Sequence, residues 1–268
     1  MNATRNAQLE MTSPARQPAE AAAFTTSDFR SLHTQGVSQA LWPEPVPDYL
    51  EQNYWWAYRH PRGVKFFDRE WMVNLILFGN MAKLRDLALA EFDRKLEGRT
   101  LQVACVYGDF TPKLAECIAP GGSLDVVDVL PVQLANTRRK LPRNAPVTLH
   151  QRNSNDLRFD DGEFEQVIVF FLMHEQPDYA REKTLAEALR VLRPGGKLVL
   201  VDYHRPHAWN PMRYFFEPIL DLLEPFAVAL WYRDLAGWLP KGTRIASSSK
   251  RTVFGGLYQK VALTFERE

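Results

Sequence analysis

Leu189-Arg190-Val191-Leu192-Arg193-Pro194-Gly195-Gly196-Lys197-Leu198-Val199-Leu200-Val201-Asp202-Tyr203 takes a helix into a stop, a turn and an apolar strand. Pro194 ends the helix because it has no amide N–H and its ring fixes φ. Gly195 and Gly196 supply the positive φ the turn needs. The strand over Lys197–Tyr203 is a near-continuous apolar run, the pattern of a strand buried on both faces. Outward from this stretch, short runs at Leu101–Val106, Ser123–Val129, Val147–Arg152 and Gln166–Leu172 alternate with helical segments, notably Asp178–Leu192. That alternation specifies a doubly wound, mostly parallel α/β sheet with helices on both faces. A closing hairpin, Lys250–Phe254 and Leu257–Thr264 around Gly255-Gly256, brings the expected sheet to seven strands.

Flanking segments read differently. Residues 1–40, rich in Ala, Ser, Thr, Pro and Gln, have no apolar periodicity and are expected to be a disordered tail. Arg5, Arg16 and Arg30 would suit a transit peptide, but Glu10, Glu20 and Asp28 oppose that reading. After the Pro-rich stretch Trp42–Pro47, helices are expected over Asp48–Arg59 and Asp68–Arg94, capped by Asp48 and Asp68. One domain then covers 41–268: a helical cap (41–99), a core (100–204), an aromatic helical lid (205–240) and the hairpin (241–268). Arg138-Arg139-Lys140 reads as a solvated helix face.

Composition narrows the function. With 33 basic and 32 acidic residues the net charge is +1, which gives no field for holding nucleic acid. Cys105 and Cys117 offer neither a disulfide framework nor a four-ligand zinc site. No stretch reaches the ~20 apolar residues of a membrane span.

Open α/β sheets bind ligands beyond the carboxyl ends of their strands. There the sequence places Tyr107-Gly108-Asp109, then Asp128, then Asn153-Ser154-Asn155-Asp156-Leu157. Asp128 can accept from two ribose hydroxyls, and the Asn153–Leu157 turn can read an adenine edge. Leu101–Tyr203 resembles the S-adenosylmethionine methyltransferase core. Phe171-Leu172-Met173-His174 and Leu189–Lys197 resemble its quinone-methylating branch. Val103-Ala104-Cys105-Val106-Tyr107-Gly108-Asp109, His174-Glu175-Gln176-Pro177 and Val201-Asp202-Tyr203-His204-Arg205-Pro206 are similar to the rhodoquinone-biosynthesis family. The likeness runs from about Tyr49 to Phe265.

The resemblance implies a class I methyltransferase-like Rossmann fold. It also implies replacement of a ring methoxy group of ubiquinone by an amino group, with S-adenosylmethionine as amino donor and manganese assisting. The cofactor residues implied are Gln102, Cys105, Tyr107, Gly108, Asp128, Asn153, Ser154, Asn155, Phe170 and Phe171. His174, Glu175, Asp202 and His204 are the expected catalytic residues. Glu175, Asp202 and His204, with His207 just beyond, form a donor set suited to manganese. His174 is further expected to accept a proton from the attacking amine.

The usual cofactor loop spaces one acid and three glycines where this chain has Gln102, Ala104, Val106 and Gly108. Side chains at 104 and 106 would displace the methionine end of the co-substrate. Neutral Gln102 removes one influence holding its α-amine as an ammonium. Two alternatives stand beside this reading: methyl transfer to a quinone or phenolic precursor, and a non-catalytic quinone-binding protein. A lipid quinone partner implies work at a membrane surface, peripheral to an inner membrane on its cytoplasmic (or matrix) side. The aromatic region 211–239 is the expected contact, though plain packing would use the same residues. Association between copies of the chain is left open.

Overall fold

The computed structural model describes residues 37–38, 45–58, 61–92 and 95–266. Eight strands form one sheet: β1 (Val37–Ser38), β2 (Arg99–Val103), β3 (Ser123–Asp128), β4 (Val147–Gln151), β5 (Phe164–Phe170), β6 (Leu192–Tyr203), β7 (Ile245–Val253) and β8 (Tyr258–Phe265). Their order is β1-β4-β3-β2-β5-β6-β8-β7. Pairings from β1 to β6 are parallel, and β8 inserts antiparallel between β6 and β7. This is the expected doubly wound sheet, with the two-residue β1 added at one edge. The chain starts the core at β2, steps out to β3 and β4, and returns to the other side of β2 as β5. A crevice therefore opens where β2 and β5 diverge.

Helices α1 (Asp48–Tyr58), α2 (Pro61–Phe67), α3 (Glu70–Ile76) and α4 (Met81–Leu89) precede the core. Then come α5 (Phe110–Glu116), α6 (Pro131–Lys140), α7 (Asp178–Val191), α8 (Met212–Leu223) and α9 (Ala229–Tyr232). The apolar strands β2, β5 and β6 are buried on both faces, with Leu101, Val167, Ile168 and Leu200 wholly inside. Phe110 of α5 stacks on Phe170 of β5 with ring centroids 4.0 Å apart, and both are fully buried. Burying a ring of that size stabilises the fold by roughly 1.5–3 kcal/mol. At the far side, Lys197 of β6 donates to the Glu91 carbonyl and Lys260 of β8 pairs with the Glu91 carboxylate. These contacts fasten the segment after α4 to the sheet.

Several expectations are corrected. The single helix over Asp68–Arg94 is two helices, because Phe78 (φ 49) and Gly79 (φ 72) both turn left-handed. Asp68 caps nothing: it accepts the Gly108 N–H and pairs with Lys140. Asp48 is the first residue inside α1 rather than the cap before it. Lys140 is therefore no solvated face either. The expected tail lies outside the described residues except Val37–Ser38, which pair with Leu149 and His150 instead of remaining unstructured.

Candidate active site

A cavity of about 1320 Å³, counted with its open mouth, lies over the carboxyl ends of β2 to β6. Its floor is Ala104–Tyr107, Val127–Leu130, Asn153 and Ser154, and its far wall is Phe171, His174, Glu175 and Tyr203. The cap closes it from above with Tyr49, Phe67, Val73 and Leu77.

The floor is set by a strained turn. β2 stops at Val103, three residues earlier than its apolar run suggests, because Ala104 adopts φ 69. A left-handed backbone at a residue with a Cβ costs roughly 1–2 kcal/mol. Asp128, at the end of β3, steadies the turn: one carboxylate oxygen accepts the Cys105 N–H at 2.8 Å and the other accepts the Leu130 N–H at 2.8 Å. Burial raises the Asp128 pKa to about 6 despite these donors. The Val129 backbone and the Cys105 thiol also bond this carboxylate, which still lines the cavity. Gln102 does not line the cavity. Its amide donates to the Ala104 carbonyl at 2.9 Å, leaving Oε1 buried without a hydrogen-bond partner. Cys105 and Tyr107 do line it, and burial raises both of their pKa values. Gly108 sits behind the loop at φ 84, facing Met81 rather than the cavity.

The turn after β4 is only partly available to a ligand. Asn153 and Ser154 line the cavity, and Asn153 Oδ1 accepts the Asn155 N–H at 2.9 Å. Ser154 Oγ and Asn155 Oδ1 both bond Thr184 of α7 at 2.9 Å, which draws the Asn155 side chain away from the cavity. Phe170 is spent in the core stack. Phe171, at φ 52, turns out to the cavity.

Neighbouring strands β5 and β6 bring His174 to Asp202. The ring Nδ1 lies 3.0 Å from an Asp202 oxygen, close enough for an ion pair though off the hydrogen-bond line. The His174 backbone N–H also donates to Asp202, at 3.2 Å. Burial alone would lower the His174 pKa, but Asp202, with Glu224 and Glu175 beyond it, raises it to about 9. This environment favours the imidazolium, a form with a proton to give, whereas the acceptor role expected from the sequence requires the neutral ring. Glu175 Oε1 lies 3.8 Å from the ring Nε2.

The expected metal donors do not converge. His204 Nδ1 is engaged by the Gly256 carbonyl at 2.8 Å, His204 does not line the cavity, and burial lowers its pKa. His207 packs against the same hairpin turn. Asp202 is wholly buried behind His174. Among the described residues no three His, Cys, Asp or Glu are grouped to hold a metal ion.

Residues 66–235 match the model of the ubiE/COQ5 methyltransferase family. The chain belongs to that family. It is 28% identical to a demethylmenaquinone methyltransferase of Geobacillus over 67% of this chain and 76% of that protein. A protein of the same name from Thermus thermophilus is 35% identical over 56% of this chain and 68% of its own length. Solved structures share the fold. One is a phosphoethanolamine N-methyltransferase of Haemonchus contortus with S-adenosylhomocysteine bound (TM-score 0.59, 15% identity, 85% of this chain, 62% of that one). Another is a SAM-dependent methyltransferase of Methanosarcina mazei (TM-score 0.52, 17% identity, 68% and 98%).

This family member lines its cavity with groups that sequence reasoning passed over. Tyr49 of α1 faces the His174 wall, and burial pushes its pKa up to about 12. Glu224 closes α8 at the same wall. Nothing in the sequence marks it out from Glu217 and Asp221 in the same aromatic stretch. Gln133 and Arg152 complete the lining and carry no local signature.

Proposed function

We propose that this ubiE/COQ5 family member transfers an amino group to a quinone, replacing a ring methoxy group of ubiquinone to give rhodoquinone in its reduced, quinol form, with S-adenosylmethionine as amino donor. One observation carries the choice of reaction. Where a methyl-transferring loop has glycines, this loop has Ala104, strained at φ 69, and Val106, both lining the cavity. Their side chains occupy space beside the donor's amino-acid end and favour a shifted pose. The residues present suit the donor: the Asp128 carboxylate and the Asn153 turn both line the cavity, the first a partner for ribose hydroxyls and the second for an adenine edge. Gln102, neutral and turned to its own strand, takes the place of the carboxylate that a methyl-transferring loop sets beside the donor amine at this position.

The balanced reaction consumes one water. The amine nitrogen adds to the methoxy-bearing ring carbon and loses a proton, and the C–O bond breaks to release methanol. Freeing the nitrogen from the donor carbon moves two electrons into the ring. The products are then the aminoquinol and a 2-oxo acid. We assign Glu175, which lines the same cavity, to take the amine proton. Protonated His174, held by Asp202, donates to the quinone carbonyl or the departing methoxide. No step is assigned to a metal.

Methyl transfer to a demethylated quinone is the second reading, favoured by the names of the Geobacillus and Thermus relatives. Incubation of the protein with ubiquinone, and separately with a demethylated quinone, in the presence of S-adenosylmethionine labelled with heavy nitrogen at the α-amine separates the readings. Label in the quinone with methanol released is the expected result. S-adenosylhomocysteine formed in step with a methylated quinone would establish methyl transfer, and no turnover with either quinone class would leave a binding protein.

We also propose that the cavity mouth meets a membrane surface. Trp71, Leu75 and Phe78 around α3, and Phe215, Ile219 and Leu222 on α8, are exposed at helical spacing. Phe78 joins the two sets by contacting Phe216 at 5.6 Å between ring centroids. Among the described residues no helix is long and apolar enough to cross a membrane.

A further inference from the structure

The loop under the cavity has lost two of the glycines that let such loops shape themselves, so something else must fix its peptide planes. Lys140, at the end of α6, supplies that. Its ammonium donates to the Gly108 carbonyl at 2.8 Å and the Val106 carbonyl at 3.3 Å, and pairs with Asp68 at 2.8 Å. Asp68 in turn accepts the Gly108 N–H at 2.9 Å with the same oxygen. The three ammonium protons thus have three partners. Both side chains are largely shielded, with 19% and 14% of their surface exposed. In a trans peptide a carbonyl and the following N–H point in opposite directions. Holding the Val106 carbonyl at the lysine therefore turns the Tyr107 N–H to the other side of the loop. Val106 and Tyr107 both line the cavity.

We propose that Lys140 and Asp68 are positioning residues that set this loop to receive the anionic, amino-acid end of the co-substrate. The proposal rests on the reading of S-adenosylmethionine as co-substrate. Asp68 directly follows α2 of the cap and Lys140 ends α6 of the core, so the pair also locks the cap to the loop. The adenosine end would meet Asp128 and Asn153, neither of which Lys140 or Asp68 hydrogen-bonds.

That separation gives the test. Binding of S-adenosylmethionine and of 5′-methylthioadenosine, which lacks the amino-acid end, is measured by calorimetry. The proteins are the wild type, the double variant Lys140→Met/Asp68→Asn and the single variant Lys140→Arg. The double variant leaves no unpaired charge, and thermal melting checks that it folds. Expected is a loss of roughly tenfold or more in S-adenosylmethionine affinity, the scale of one charge-assisted hydrogen-bond network. Affinity for 5′-methylthioadenosine should stay within about twofold. Lys140→Arg, which can still span two acceptors, should recover most of the loss. Equal weakening of both ligands, or no weakening of either, would overturn the clamp. Wild type that binds neither ligand would overturn the co-substrate reading itself.

Discussion

Replacing Asp202 by Asn tests the charge on His174. The folded protein raises this ring from 6.5 to about 9, a preference for the imidazolium of about 3 kcal/mol. Because the folded pKa lies above the unfolded one, the stabilisation is complete below pH 6.5. It declines as pH rises and is gone above about pH 9. The substituted amide would keep one oxygen, so only one of the two backbone donors, the His174 or the Tyr203 N–H, would retain its acceptor, a loss that does not depend on pH. The charge would be gone, and burial would then favour the neutral ring. Glu224 and Glu175 remain as weaker attractors, so about 3 kcal/mol is the upper bound of the pH-dependent effect. Urea unfolding of wild type and Asp202→Asn at pH 6, 7.5 and 9.5 reads this directly, since other titrating groups cancel in the difference. The wild type should be the more stable at pH 6, with the gap narrowing to its pH-independent part by pH 9.5. A gap that does not change with pH would refute the imidazolium, and with it the assignment of His174 as proton donor.

Three further outcomes are expected. Asp128→Ala should weaken S-adenosylmethionine binding by ~2–3 kcal/mol in calorimetry, through lost charge-assisted bonds to the ligand and a loosened Cys105 turn. Unchanged affinity would move the adenosine site elsewhere. Ala104→Gly should stabilise the fold by about 1 kcal/mol in urea unfolding, by relieving the left-handed strain; a less stable variant would show that the methyl packing outweighs it. Leu75→Glu with Leu222→Glu should reduce co-sedimentation with quinone-loaded vesicles while leaving turnover of a short-tailed, soluble quinone intact. Equal co-sedimentation would exclude these helices as the membrane contact.

The sheet was legible because its strands are short apolar runs closed by Pro and Gly, a code written in neighbouring residues. Asp128, Asn153 and the His174–Asp202 pairing followed from strand order, since adjacent parallel strands deliver their ends to one crevice. What escaped was side-chain reach. Lys140 sits in a basic run that looks solvated, yet its partner Asp68 lies 72 residues earlier. Asp68 has the look of a helix cap because caps are local, whereas its use here is not. His204 is only two residues beyond Asp202 in sequence, but the hairpin turn at Gly256 captures its ring and takes it out of the site. The break at Phe78-Gly79 was hidden because the apolar periodicity continues through it on both sides.

The attachment of Glu91 has a consequence for how the chain reaches its native state. Its two lysine partners come 106 and 169 residues later. During synthesis the cap helices emerge ahead of β6 and β8, and the apolar surface of α4 that packs on those strands waits until both have left the ribosome. Contacts so distant in sequence close slowly, and the waiting surface is prone to aggregation. Maturation should therefore be governed by the arrival of β8 and should respond to chaperones that shield nascent helices.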